Sequence, residues 1–177
     1  MASRLPTLGK LGRLAGLSEP SPPVHRPPVH RPPWSRPEVE FIDNCTRCGA
    51  CVESCSTGVL AEDEGGYPFV DFSKAACSLC GTCASICPVD CFDTEAGTVP
   101  WALKATINAR CVQAAGEACR VCEEHCEQRA IVAGGRHAER LPPAIDRKAC
   151  TGCGGCTLAC PMHAISIENP DLQRLKT

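Results

Sequence analysis

The twelve residues CSLCGTCASICP, positions 77–88, carry four cysteines separated by two, two and three residues, with a proline after the last. The rhythm is not confined to this stretch. Cys45, Cys48, Cys51 and Cys55 repeat it upstream, and Cys150, Cys153, Cys156 and Cys160, again followed by a proline, repeat it downstream. A pattern that recurs at a spacing of some tens of residues marks a chain built from copies of one unit, so the fold is to be sought in what each unit binds.

Three thiolates on a short loop with a fourth one turn later form the bacterial run for a [4Fe–4S] cluster, and in two-cluster proteins the fourth thiolate ligates the other cluster. The first three wrap three irons of a cubane while amides of the loop point at its sulfides. Gly49, Gly81, Gly154 and Gly155, standing between cysteines, let the backbone approach closely. Zinc would instead draw two separated pairs of ligands around one tetrahedron.

Seventeen cysteines in 177 residues mean disulfides or metal, and the compartment decides between them. The opening MASRLPTLGKLGRLAGL is broken by Pro6 and by glycines 9, 12 and 16 and does not read as a secretory signal. No stretch approaches the roughly 18 apolar residues of a membrane span. A cytoplasmic location is expected, where thiols stay reduced; the odd number of cysteines also fits a disulfide framework poorly. With seven aromatic residues to fill a core, much of the folding energy is expected from cluster ligation, leaving the cluster-free chain largely unfolded.

A fourth run is irregular. In CVQAAGEACRVCEEHCE, residues 111–127, Cys119, Cys122 and Cys126 keep the rhythm but Cys111 stands far upstream. The approach to each run places it. Ile42-Asp43 precedes Cys45, Ile107-Asn108 precedes Cys111, Ile145-Asp146 precedes Cys150, and Val70-Asp71 precedes Cys77 at a longer distance. Each reads as a short strand ended by an Asx-type turn that delivers the chain into a cluster loop. Cys111 thus holds a first-ligand position, and its lengthened loop costs little closure entropy. Sixteen cysteines make four sets, for four [4Fe–4S] clusters. The seventeenth, Cys91, aligns with Val59, Ala130 and Ala164, four residues beyond the last cysteine of each run, and reads as a buried small residue. His125 and His163 read as solvated loop residues.

Last cysteines fall at 55, 87, 126 and 160, so the first two runs and the last two are the closer pairs. Each pair encloses hairpin material with glycine at the bend, GVLAEDEGGYPFVDF and AIVAGGRHAERLPPAID. The expected fold is α+β: tandem bacterial-ferredoxin-like two-cluster modules over residues 38–98 and 99–170, joined by an irregular connector, with a tail at 171–177. A nested pairing of the first run with the fourth is the alternative. Residues 1–37 differ in kind. SEPSPPVHRPPVHRPPWSRP holds eight prolines and a tandem VHRPP repeat, predicting an extended polyproline-like arm. This segment carries six Lys or Arg against one Glu, whereas 38–177 carries twelve against nineteen. Thiolate-bound clusters add negative charge to the body. Basic residues confined to an arm and barely interleaved with aromatics argue against nucleic acid as a partner.

Four cysteine runs with an enlarged third, Arg31-Pro32-Pro33-Trp34-Ser35 ahead of the first, CTRC at 45–48 and Gly65-Gly66-Tyr67-Pro68 in the first hairpin together resemble the ferredoxin-type NapF family of periplasmic nitrate reductase systems, over residues 31–168. The duplicated VHRPP and the long extension depart from that pattern. The resemblance implies a cytoplasmic iron–sulfur accessory protein acting on the molybdenum-containing nitrate reductase catalytic subunit before its export, with the sixteen cysteines as cluster ligands. An alternative is an electron-transfer subunit of a membrane quinol-oxidising complex, which would bring a membrane-associated electron donor as partner. No nucleotide fingerprint and no acid, base or nucleophile constellation is visible, so catalysis by this chain alone is not expected.

Overall fold

Short helices and two-stranded ribbons make up the computed structural model, which describes residues 29–95, 97–132 and 141–170. Most of the arm and the tail expected at 171–177 lie outside the described residues. In chain order the elements are α1 (Glu38–Asn44), α2 (Ala50–Glu53), β1 (Leu60–Glu62), β2 (Pro68–Val70), α3 (Thr82–Ser85), β3 (Lys104–Ile107), a 3-10 turn (Val112–Ala115), α4 (Val121–Glu124), β4 (Ile131–Val132), β5 (Ala144–Ile145), α5 (Gly155–Ala159) and β6 (Ile165–Glu168). Short helices and antiparallel strand pairs follow one another along the chain, a small mixed helix-and-strand architecture.

Three ribbons form: β1 with β2, β4 with β5, and β3 with β6, which set Leu60 opposite Val70, Ile131 opposite Ile145 and Ile107 opposite Ile165. A lone antiparallel bridge between Ser35 and Phe92 takes the place of a fourth. One backbone bond recurs in all four. The amides of Arg36, Asp71, Asn108 and Asp146 donate to the carbonyls of Cys91, Val59, Ala164 and Ala130, at 3.0, 2.7, 2.9 and 2.7 Å. The acceptors are the four aligned small residues, and each is at most 1 % exposed. The approach to one run is therefore tied to the exit from its neighbour, reciprocally, inside residues 35–92 and again inside 107–165.

This register corrects the expected approach to the first run. Ile42-Asp43 does not end a strand but lies within α1, and Ser35-Arg36 stands where Ile107-Asn108 stands in the second half. Pro37 fixes the start of the inserted helix, and Glu38 and Glu40 sit in its first turn, where the helix dipole favours negative charge. Phe41 on the same helix is buried edge-on against Phe92, centroids 5.8 Å apart. The other three approaches behave as read: Asp71, Asn108 and Asp146 each accept a backbone amide two residues on, closing Asx turns.

Residues 29–37, counted with the arm in the sequence, are packed against the first half and also reach the second. Pro32 and Pro33 are fully buried, the His30 carbonyl accepts the Val70 amide at 2.8 Å, and the Trp34 amide and indole donate to the Pro100 and Thr98 carbonyls. Arg31 holds the segment down: its guanidinium forks onto Glu38, reaches Asp63 and the Pro68 carbonyl, and lies over both Phe41 and Tyr67. Proline needs no donor partner, so a proline-rich strand can be buried where its carbonyls and one arginine do the bonding. The connector expected to be irregular also contains structure, since β3 lies within it and pairs with β6.

Two apolar clusters face each other across the molecule, one around Val59, Leu60 and Val70, the other around Leu103, Ala105, Ile131, Ile165 and Ile167, and Phe72 and Trp101 pack on both. Trp101 donates its indole N–H to the Thr151 carbonyl at 2.7 Å, and Thr157 reaches the Phe72 carbonyl.

Candidate metal centres

The same loop geometry recurs around the cysteines. The residue just before the second cysteine is left-handed in three runs, at Arg47, Leu79 and Gly152, as is the third residue after the last cysteine at Gly58, Arg129 and His163. His163 is thereby a turn residue. His125 is exposed at the end of α4 with its ring bonded to the Val121 carbonyl. Amides are aimed at sulfur as well: Leu79 N–H at Cys77 Sγ (3.4 Å), Ala130 N–H at Cys126 Sγ (3.3 Å) and Ala164 N–H at Cys160 Sγ (3.4 Å). Such donors stabilise negative charge on the sulfurs.

The helices that follow, α2 against α3 and α4 against α5, bring the runs together. Cys45, Cys48 and Cys51 line one hollow with Cys87. Cys77, Cys80 and Cys83 line a second with Cys55, and Cys111, Cys119 and Cys122 a third with Cys160. The fourth set gathers about Cys156, whose neighbouring thiols are Cys153, Cys150 and Cys126. The last cysteine of each run thus sits with the neighbouring run, and Cys111 sits with the regular members of its own. Cys91 lines the first hollow beside the four thiols while its sulfur contacts the Phe41 carbonyl, 3.9 Å away.

Burial sets the thiols apart. It pushes Cys51 up to about 11, and Cys83 and Cys156 up to about 12, with neighbouring cysteines adding to the shift. Burial, then the adjacent Cys87 and Cys45, likewise pushes Cys91 up to about 12. Cys80 goes the other way, down to about 7, chiefly through the Thr82 hydroxyl and amide and the Ser78 hydroxyl. Cys55 is lowered too, burial being outweighed by the Thr57 hydroxyl and by the Leu60, Val59 and Thr57 amides.

The donor sets fit iron–sulfur clusters better than single ions. Among the described residues no three His, Cys, Asp or Glu side chains converge on a point as a lone ion demands. The thiols instead ring hollows whose remaining walls are mostly apolar in the first and third and include Ser56, Thr57, Ser78 and Thr82 in the second, with sulfur-directed amides, which suits a group the size of a cubane held by soft ligands.

Comparison with known proteins agrees. Residues 44–92 match the 4Fe-4S dicluster domain family and residues 142–165 a 4Fe-4S binding domain family. The ferredoxin-type protein NapF of Escherichia coli K12 is 38 % identical over 131 residues, which cover 74 % of this chain and 79 % of that protein. NapF of Haemophilus influenzae is 34 % identical over 129 residues, 73 % of each chain. The chain belongs to the NapF family. It is an iron–sulfur, ferredoxin-type electron-transfer protein, related also to the ferredoxin-type protein NapG of Escherichia coli K12, to which it is 30 % identical over 152 residues, 74 % of this chain and 65 % of NapG. Among its described residues no helix is long and apolar enough to cross a membrane. The part of this NapF relative that sequence reasoning missed is the Arg31 clamp and the buried Pro32-Pro33-Trp34; the signal was a tryptophan inside an otherwise proline-rich, polar segment.

Proposed function

We propose that the sixteen cysteines grouped above hold four [4Fe–4S] clusters in two tandem modules, residues 38–98 and 99–170, and that the protein serves in the cytoplasm as an electron-transfer accessory to maturation of the molybdenum-containing nitrate reductase catalytic subunit before export. The observation that carries the reading is the reciprocal exchange of fourth cysteines, Cys55 with Cys87 and Cys126 with Cys160, which is how two-cluster modules share their loops. Bound clusters supply one-electron redox chemistry; the chain's own part is to hold them with thiolates, aim amides at the sulfurs and cover them with apolar side chains. Membership of the NapF family supports the choice of partner.

Protein isolated anaerobically should contain about sixteen iron and about sixteen sulfide per chain. From anaerobic cytoplasm it should co-purify with a molybdenum-containing protein. Recovery in the membrane fraction with no such protein attached would overturn the maturation role.

A further inference from the structure

We propose that the site formed by Cys55, Cys77, Cys80 and Cys83 holds the most easily reduced of the four clusters, set there by the hydroxyls of Thr57 and Thr82, so that an electron shared among the four rests at this one. The inference depends on the four-cluster reading above. Thr82 Oγ1 lies 3.3 Å from Cys80 Sγ and Thr57 Oγ1 lies 3.5 Å from Cys55 Sγ. These are hydroxyl contacts to two of the four sulfurs of one set, and the fourfold repeat supplies the controls. The position of Thr82, just before the third cysteine, is Ala50, Val121 and Gly155 in the other runs. That of Thr57, two beyond the last cysteine, is Val89, Gln128 and Met162. No other set has a hydroxyl at either place.

Reduction adds one electron whose charge falls largely on the cluster and its ligand sulfurs, so a donor at 3.3–3.5 Å favours the reduced form more than the oxidised one. Solvent acts in the same direction. Cys80 is exposed, whereas its counterparts Cys119 and Cys153 are half-buried. Cys48 is also exposed, but beside it stands Ala50. Arg47 lines the first hollow and its charge would favour reduction there; its guanidinium is turned over the Tyr67 ring and the residue is open to water, which screens it. The hydroxyls in direct contact with sulfur decide the order. The site is also placed to collect electrons. It shares its loops with the first set through Cys55 and Cys87, and it meets the fourth set where the Cys77 amide donates to the Cys153 carbonyl at 2.8 Å. The step is one-electron reduction by an outside one-electron reductant, with no bond made or broken.

The test is a potentiometric titration of the full-length, cluster-loaded protein followed by electron paramagnetic resonance, with iron and sulfide determined on each sample. In the Thr57→Val/Thr82→Val double variant the first reduction wave should move to lower potential and merge with the later ones at unchanged iron content. Thr57→Ser/Thr82→Ser, which keeps both hydroxyls, should restore it. Ala50→Thr, which adds the hydroxyl to the first set, should raise one of the later waves. A first wave unmoved in the valine variant at full iron content overturns the inference alone. If that variant loses iron, Ala50→Thr decides, and later waves that stay in place overturn it. A shortfall of iron in the unaltered chain overturns the four-cluster reading and the inference with it.

Discussion

The amide of Cys77 donates to the carbonyl of Cys153 at 2.8 Å, joining the second cysteine loop to the fourth across the two halves of the molecule. The contact is possible because Gly154, next in the chain, has no side chain. Its φ is +84°, and a Cβ there would overlap the Phe72 ring. Gly154→Ala should therefore cost about 3 kcal/mol, ~1 from the left-handed backbone and ~2 from forcing Phe72 aside. Denaturant unfolding of the loaded protein should register it. An equally stable variant would mean that Phe72 does not hold the halves together.

Cys91→Ala should keep the full iron content of the native protein. Its counterparts Ala130 and Ala164 are buried as completely, so the slot accepts alanine. The lost sulfur leaves a small cavity worth about 1 kcal/mol. Because Cys91 lines the first hollow with four other thiols, the outcome is not trivial. Loss of a quarter of the iron would make it a ligand, and one of the four neighbouring cysteines would then be the spectator.

The regular cysteine runs are legible from spacing, a local property dictated by the size of one cluster, and the displaced Cys111, which breaks that spacing, is legible from the Ile107-Asn108 approach ahead of it. The aligned slot of Val59, Cys91, Ala130 and Ala164 is legible for the same reason: one unit, repeated, puts the same demand on the same position. What the sequence hides is non-local. Ile42-Asp43 looks like Ile107-Asn108, but which dipeptide bonds to Cys91 depends on the insertion of α1, and Arg36 makes that bond. A polyproline pattern likewise reports local conformation, not whether a surface exists to bury it; Arg31 and Trp34 supply the contacts that pack residues 29–37.

Acid should loosen that packed segment. His30 bonds the Ile167 carbonyl at 3.1 Å, and burial lowers its affinity for a proton below the ordinary value of 6.5, opposed by that bond and by Glu168. A histidine depressed in the folded state binds protons more readily once unfolded, so the stabilisation is present above 6.5 and is lost as pH falls through it. The amide of Val70, bonded to the His30 carbonyl, reports the segment. Its hydrogen-exchange protection factor should drop between neutral pH and pH values below 6.5 in the native chain and stay flat in His30→Gln. A native profile as flat as the variant's would show that His30 is not the titrating group.

Cys111→Ala tests the irregular run. Cys111 lines the third hollow with Cys119, Cys122 and Cys160, so its removal should empty that site or leave a three-iron species there. The damage should not stop at one cluster. Cys126 follows Cys122 on the same loop by way of α4 and sits with Cys150, Cys153 and Cys156, so a loop that no longer grips the third cluster positions the fourth cluster's last ligand poorly. The iron lost should therefore range from about one atom in sixteen, where a three-iron species remains, to about half, where both sites of the second half empty. The first half keeps all of its ligands within residues 45–87 and should retain its two signals on reduction. Limited proteolysis should open the chain near residues 111–126 and spare 38–92. Loss from the second site instead would mean that the runs are paired in the nested order. Unchanged iron would make Cys111 a spectator, with Glu117 on the same lengthened loop the first candidate to complete the set.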